Sequence, residues 1–329
     1  MEQMINWGII GCGDVTEVKS GPAFNKVPGS RLIAVMRRNA GLAADYAQRH
    51  GVPRWYADAT ALINDPEVNA IYIATPPSSH ETYALQAIAA GKPVYLEKPM
   101  TPDAPAAQRV AAAAIQAGVK LTVAHYRREQ PFYKKLKELI AGEAIGKIQL
   151  VYIACSRHLL STAQLAQSRT AWRVDPAIAG GGLFHDLAPH QLDILYYLFG
   201  AASAVQGMAL QQSGTYAAPD LVSGTIVWPQ RILFTGIWNF NQPASKMQED
   251  ECVITGTDGE IRFSFFEQAP LRLIKNGQMT AYEFPPLPHV QEPMIRQVVE
   301  YFQGKTDNPC TALEGVQVME WIDQIAVLR

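Results

Sequence analysis

Cysteine is scarce in this chain, and neither sign of charge is in excess. Cys12, Cys155, Cys252 and Cys310 are spread over 329 residues with no CxxC pair. A zinc site or a disulfide framework needs closer, paired spacing, so free thiols in a reducing compartment are expected. His158 and His185 add no ligand spacing, and no metal is expected. Lys and Arg number 28 against 30 Asp and Glu, a net charge of −2, which leaves no electrostatic footprint for nucleic acid or an anionic membrane. Long apolar runs are missing too. Met1 to Asn6 leads into Trp7-Gly8-Ile9-Ile10 without a basic stretch or an apolar run before it. Neither a signal peptide nor a membrane span is expected, and the cytoplasm is the expected location. Internal repeats and low-complexity segments are also lacking.

What is present is length and rhythm. A chain of 329 residues, 48% of them hydrophobic, suits two domains. In the first third, Ile5–Ile10, Arg31–Met36, Ala70–Ala74, Lys92–Leu96 and Lys120–Ala124 read as buried strands of a parallel sheet. Between them, Gly41–His50, Thr60–Ile63, His80–Ala90 and Pro105–Ala117 have helical spacing, and Gly91 and Gly118 stand where helices stop. Strand alternating with helix predicts an α/β, doubly wound sheet of the Rossmann type. Beyond residue 124 the pattern changes. Helices are expected at Phe132–Ala141 and Gly182–Phe199. Strands are expected at Ile148–Cys155, Leu221–Trp228, Ile232–Phe240, Glu251–Thr255, Gly259–Phe265 and Leu271–Lys275. Helices over Pro293–Gln303 and Thr311–Leu328 close the chain. The expected division is a dinucleotide-binding domain over 1–124 and an α+β domain with a mostly antiparallel sheet over 125–329.

The turn Gly11-Cys12-Gly13-Asp14-Val15-Thr16 follows the first strand. Gly11 and Gly13 permit a tight turn and a close approach to a pyrophosphate, with Asp14 and Val15 opening the following helix. Thr16 stands where a third small residue is usual. The second strand ends in Val35-Met36-Arg37-Arg38-Asn39. A fold that prefers NAD places an acid here for the ribose 2'-hydroxyl, whereas two guanidiniums suit a 2'-phosphate. NADP(H) is therefore favoured over NAD(H).

Three further segments carry chemistry. Thr75-Pro76-Pro77-Ser78-Ser79-His80 lies past the carboxyl end of a predicted strand, where open α/β sheets bind ligands. Glu97-Lys98-Pro99 follows another, and the Lys98-Pro99 bond is a candidate for cis geometry. Gly180-Gly181-Gly182 opens a helix on which Asp186 and His190, at i and i+4, share a face. Imidazole ordinarily titrates near neutrality and suits proton exchange with a hydroxyl. A lysine can stabilise charge on the reacting oxygen or, if desolvated, carry the proton itself. Tyr126 and Arg127, and also Trp172 and Arg173, are candidate substrate contacts for a polyhydroxylated ligand. Arg128 is expected to pair with Glu129 or a neighbouring subunit.

Taken together, the TP, His, AGK and EKP elements of Ile71–Met100 and the GGG segment with Asp186 and His190 resemble the Gfo/Idh/MocA family. That family includes glucose-fructose oxidoreductase, inositol dehydrogenases and dimeric dihydrodiol dehydrogenases. The resemblance implies a nicotinamide-dependent oxidoreductase acting on a carbohydrate-like substrate, and a homodimer or homotetramer formed through the second sheet. It implies that Thr75, Pro76 and His80 line the cofactor, that Glu97 lies near the nicotinamide ribose and Lys98 near the reacting carbon. Asp186 and His190 would complete the substrate site. An NAD-linked polyol dehydrogenase and a non-catalytic dinucleotide-binding regulator are the rival readings.

Overall fold

The computed structural model describes residues 4–328, so the first half of the opening stretch read for a leader lies outside it. Six strands form a parallel sheet: β1 (Ile5–Ile10), β2 (Ser30–Met36), β3 (Arg54–Tyr56), β4 (Ala70–Ile73), β5 (Val94–Leu96) and β6 (Leu121–Val123), in the order β3-β2-β1-β4-β5-β6. All five pairings are parallel. The order reverses between β1 and β4, so the loops after these two strands diverge and leave the crevice where such sheets take their ligand. Every residue of β4, β5 and β6 is buried, which is why these segments read as largely apolar runs. At three residues, β3 is too short for its alternation to show in sequence.

The second sheet has eight strands: β7 (Ile148–His158), β8 (Ala204–Leu210), β9 (Leu221–Val227), β10 (Leu233–Gln242), β11 (Glu249–Gly256), β12 (Gly259–Phe263), β13 (Leu271–Lys275) and β14 (Gln278–Tyr282). Their order is β14-β13-β12-β11-β7-β10-β9-β8. Neighbours run antiparallel except β7 and β10, which are parallel. The exposed strands β8 and β14 have no apolar face strong enough to announce them. One face of the sheet is covered by the helix Leu183–Phe199, whose Phe184 ring meets Trp238 edge-on at 4.9 Å and whose Gln191 accepts the Trp238 indole N–H at 2.6 Å.

The compact units are drawn differently from a single cut after residue 124. One comprises the chain up to Gln130 together with Leu287–Met319; the other comprises Pro131–Pro286 with the residues from Glu320 onward. The reason lies in the helix Glu292–Phe302, which buries Met294, Ile295, Val298, Val299 and Phe302 as one stripe. Phe302 packs 5.5 Å from Trp7 of β1. Lys120 donates to the carbonyls of Tyr301 and Phe302, and Asn308 bonds Thr122 and Leu121. Residues from the C-terminal third thus complete the core of the parallel-sheet unit. Among the described residues, no helix is long and apolar enough to cross a membrane, and no cluster of His, Cys, Asp and Glu could hold a metal ion.

Candidate active site

The first unit carries the glycine turn. Gly11 has a φ of +95°, and a Cβ there would stand 2.6 Å from Thr75 Cγ2 and 2.8 Å from the Thr75 amide nitrogen. The β1 and β4 loops touch at this point, and only glycine permits both the backbone and the contact. At Gly13 a Cβ would meet nothing closer than the Gly11 carbonyl at 3.9 Å. The outer side of the turn is therefore open, as a backbone that must approach a pyrophosphate requires. The helix that follows, Asp14–Val18, is little more than one turn and carries Asp14 and Glu17 at its start. Its dipole is correspondingly short, and the attraction expected from it is weaker than a full helix would give. Thr16 is buried, donating to the Gly13 carbonyl at 2.8 Å while its own carbonyl accepts from Tyr46 at 2.8 Å. A hydroxyl that closes the turn explains why threonine fills the usual small position.

Arg37 and Arg38 are exposed past β2, with an Arg37 nitrogen 3.4 Å from the Cys12 carbonyl oxygen. Asn39 caps the helix Ala40–His50 through its Oδ1, 3.1 Å from the Leu42 amide. Burial holds the Cys12 thiol protonated, its pKa pushed up to about 11. All four cysteines are buried, and none forms a disulfide with another.

His80 and Glu97 are both buried. The His80 ring is fully buried, with Nδ1 3.0 Å from the Pro99 carbonyl and Nε2 2.7 Å from the Thr75 carbonyl. It ties the end of β4 to the Glu97-Lys98-Pro99 segment. The Glu97 carboxylate turns inward. Its Oε1 accepts from Tyr72 and from Gln291, both at 2.6 Å, and its Oε2 accepts from the Lys98 amide at 3.1 Å. Lys98 is half-buried and its bond to Pro99 is cis. Tyr126 is buried with the Arg127 guanidinium 5.8 Å from its ring. Arg128 has a partner that the sequence reading did not name. It is buried in its own unit at 2.6 Å from Glu314, the residue that also accepts from Thr311 in a capping box. Burial raises the Glu314 pKa, but Arg128 and the Thr311 donors outweigh it and hold the carboxyl below its ordinary value.

The second unit carries the rest. Gly180 and Gly182 have positive φ, and a Cβ at Gly181 would collide with the His185 ring. The glycine run turns the chain sharply into the helix bearing the polar residues. His185 is neutral, burial pushing its pKa down to about 4. Asp186 accepts from Arg173 at 3.2 Å, and the Arg173 guanidinium lies 4.5 Å from the Trp172 ring centroid. These three expected residues are brought together by the single turns Ser168–Ala171, Trp172–Val174 and Pro176–Ala179. His190, buried on the same helix, meets the Phe266 ring edge-to-face at 6.0 Å. Phe266 was not legible in the sequence. Its loop is pinned because the buried Asp250 accepts the amides of Phe265, Phe266 and Glu267 at 3.2, 2.6 and 3.0 Å.

The parallel sheet followed by a large, mostly antiparallel sheet agrees with comparison to known proteins. The family model described as an oxidoreductase family with an NAD-binding Rossmann fold matches residues 5–125, and the GFO/IDH/MocA C-terminal domain matches residues 133–262. Oxidoreductase P35 of Formosa agariphila is 45% identical over 323 residues, covering 98% of each chain. The chain belongs to the Gfo/Idh/MocA oxidoreductase family. Trans-1,2-dihydrobenzene-1,2-diol dehydrogenase of Mus musculus is 29% identical over 290 residues, covering 86% of this chain and 80% of that one. The structure of levoglucosan dehydrogenase in complex with NADH superposes with a TM-score of 0.86 at 22% identity, covering 98% and 95% of the two chains. This Gfo/Idh/MocA member is thus an oxidoreductase whose first unit has the NAD-binding Rossmann fold.

Proposed function

We propose that the enzyme interconverts a hydroxyl and a carbonyl on a sugar, polyol or related small molecule, with NADP(H) favoured. The bound dinucleotide supplies or accepts the hydride. Gly11, Gly13, Asp14 and Val15 would hold its pyrophosphate end, Arg37 and Arg38 a 2'-phosphate, and Thr75 and Pro76 the rim of the crevice. Lys98 hydrogen-bonds the reacting oxygen and stabilises charge on it. His190 exchanges the hydroxyl proton, and Asp186 orients the polar groups around it. Trp172, Arg173, Tyr126 and Arg127 contact the substrate.

The observation that carries the substrate class is the Asp186–Arg173 ion pair one helical turn from His190, with Trp172 stacked on Arg173. Charged hydrogen-bonding groups beside an aromatic face match a polyhydroxylated ring. The relatives agree in kind, since dihydrodiol and levoglucosan dehydrogenases are named for hydroxylated ring substrates. The NADH in the levoglucosan dehydrogenase complex favours, as the second reading, an NAD-linked polyol dehydrogenase. The test is a fluorescence titration with NADPH and NADH in parallel, followed by turnover of keto-sugars, dicarbonyls and polyols read from reduced-cofactor absorbance. Tighter NADPH binding with carbonyl reduction is expected; binding of neither dinucleotide would overturn the proposal.

In this reading the cofactor belongs to the first unit, and the subunit contacts to the second. On the outer face of the eight-stranded sheet, Leu233 stands opposite Val227 and Leu150, and Ile237 shares their face. Leu233, Ile237 and Met208 are 42%, 41% and 50% exposed. A contiguous apolar face of this kind marks an association surface, and a homodimer or homotetramer is proposed through it. Sedimentation of wild type should exceed the monomer mass, and Ile237→Lys should lower it; a monomeric wild type would refute the assignment. Four buried thiols without a disulfide among them suit the reducing cytoplasm proposed as its location.

A further inference from the structure

Gln291 precedes the helix Glu292–Phe302 at the N-cap position, where Ser, Thr, Asp or Asn ordinarily accepts a helix amide. Its side chain makes no capping bond. It is fully buried and reaches inward to a carboxylate 194 residues earlier in the chain. Tyr95 donates to Gln291 Oε1 at 3.0 Å, and Gln291 Nε2 donates to Glu97 Oε1 at 2.6 Å. The amide has one possible orientation here, because an ionised carboxylate only accepts and the tyrosine hydroxyl has a proton to give. Tyr72 donates to the same Glu97 oxygen at 2.6 Å, and its hydroxyl lies 3.1 Å from Ser20 Oγ. Both tyrosine rings are fully buried and stack with centroids 5.1 Å apart. Burial and the charge of Glu97 push both phenols well above their ordinary range, so they stay donors throughout any working pH.

We infer that Gln291 is a positioning residue for the reaction, holding the Glu97 carboxylate so that its second oxygen fixes the Lys98 backbone. The inference rests on the proposed role of Lys98. A buried carboxylate keeps its position only while donors saturate it. Three are in place: Tyr72, Gln291 and the Lys98 amide. Two of these anchor Glu97 to the core, and the third transmits the anchorage to Lys98. Without the Gln291 amide, Oε1 retains Tyr72 alone, and the carboxylate can rotate toward water and release the Lys98 amide. Second-layer hydrogen bonds of this kind commonly change activity by one to two powers of ten without touching the substrate, as they do around metal ligands.

Two variants of the full-length protein test this. In Gln291→Leu, kcat should fall by roughly 10- to 100-fold while the NADPH dissociation constant moves by less than about threefold. Gln291→Glu is nearly isosteric and makes the effect depend on pH. With residue 291 protonated it still donates to Glu97; once ionised, two like charges share a dry site and repel. Glu97, Tyr72 and Tyr95 are the titratable groups around it, with Cys310 and Tyr126 acting on Tyr95 and His80 coupled to Glu97. Relative to wild type, kcat of this variant should be near normal at acid pH and fall as pH rises, at temperatures well below melting. Wild-type kcat and pH profile in both folded variants, with Lys98→Met inactive, would overturn the inference. A pH-independent loss in Gln291→Glu tracking its melting temperature would also overturn it, as a merely structural effect. An active Lys98→Met would instead refute the reading on which the inference depends.

Discussion

Lys98→Met should abolish turnover, lowering kcat by about 10³-fold or more, while NADPH binding stays within a few-fold of wild type. The methionine keeps length and apolar stem but removes the donors that would stabilise charge on the reacting oxygen. Lys98 is half-buried, and the Glu97 bond to its backbone amide does not involve the side chain, so the segment's conformation should survive. His190→Ala should cost about 10²- to 10⁴-fold in kcat, the range for losing a positioned proton donor and acceptor. It also removes the edge contact with Phe266, so His190→Asn, which fills most of the space but does not titrate, separates packing from proton transfer. If the double variant Lys98→Met, His190→Ala turned over normally, both assignments would be wrong; a wild type that binds dinucleotide without turnover would instead favour the non-catalytic regulator. Steady-state rates together with dinucleotide titrations provide the measurement.

Replacing Arg37 and Arg38 together with alanine should weaken NADPH about 10- to 100-fold, the loss expected from one or two charge-assisted phosphate contacts. NADH should change by less than about threefold, since it has no 2'-phosphate for these groups to grip. No acid stands at the end of β2 to take ribose hydroxyls, and Asn39 is engaged in capping the following helix. On the proposed preference for NADP(H), discrimination would rest on the two guanidiniums. Arg37 already lies against the Cys12 carbonyl, so it can meet a phosphate without leaving the glycine turn. Raising salt should weaken NADPH more than NADH, because both arginines are exposed and screened. Equal affinities in wild type, or an equal loss for both dinucleotides in the variant, would reduce the arginines to solvated surface charge.

Sequence alone determined what short-range physics governs. Short apolar runs placed five of the six parallel strands, and the turn after β1 and the i, i+4 pair Asp186 and His190 followed from spacing. Each is a property of a few consecutive residues, whose backbone preferences and facing directions are fixed before the chain folds. Tertiary structure decided which buried polar groups meet. Arg128 pairs with distant Glu314, because the turn Tyr126–Glu129 lies against the returning C-terminal segment. Glu97 finds its donor in Gln291 rather than at the surface, Asp250 gathers the loop that carries Phe266 to His190, and Leu287–Met319 rejoins the first unit. A buried charge must be satisfied by whatever donors the topology delivers. No local pattern encodes which distant segment will deliver them.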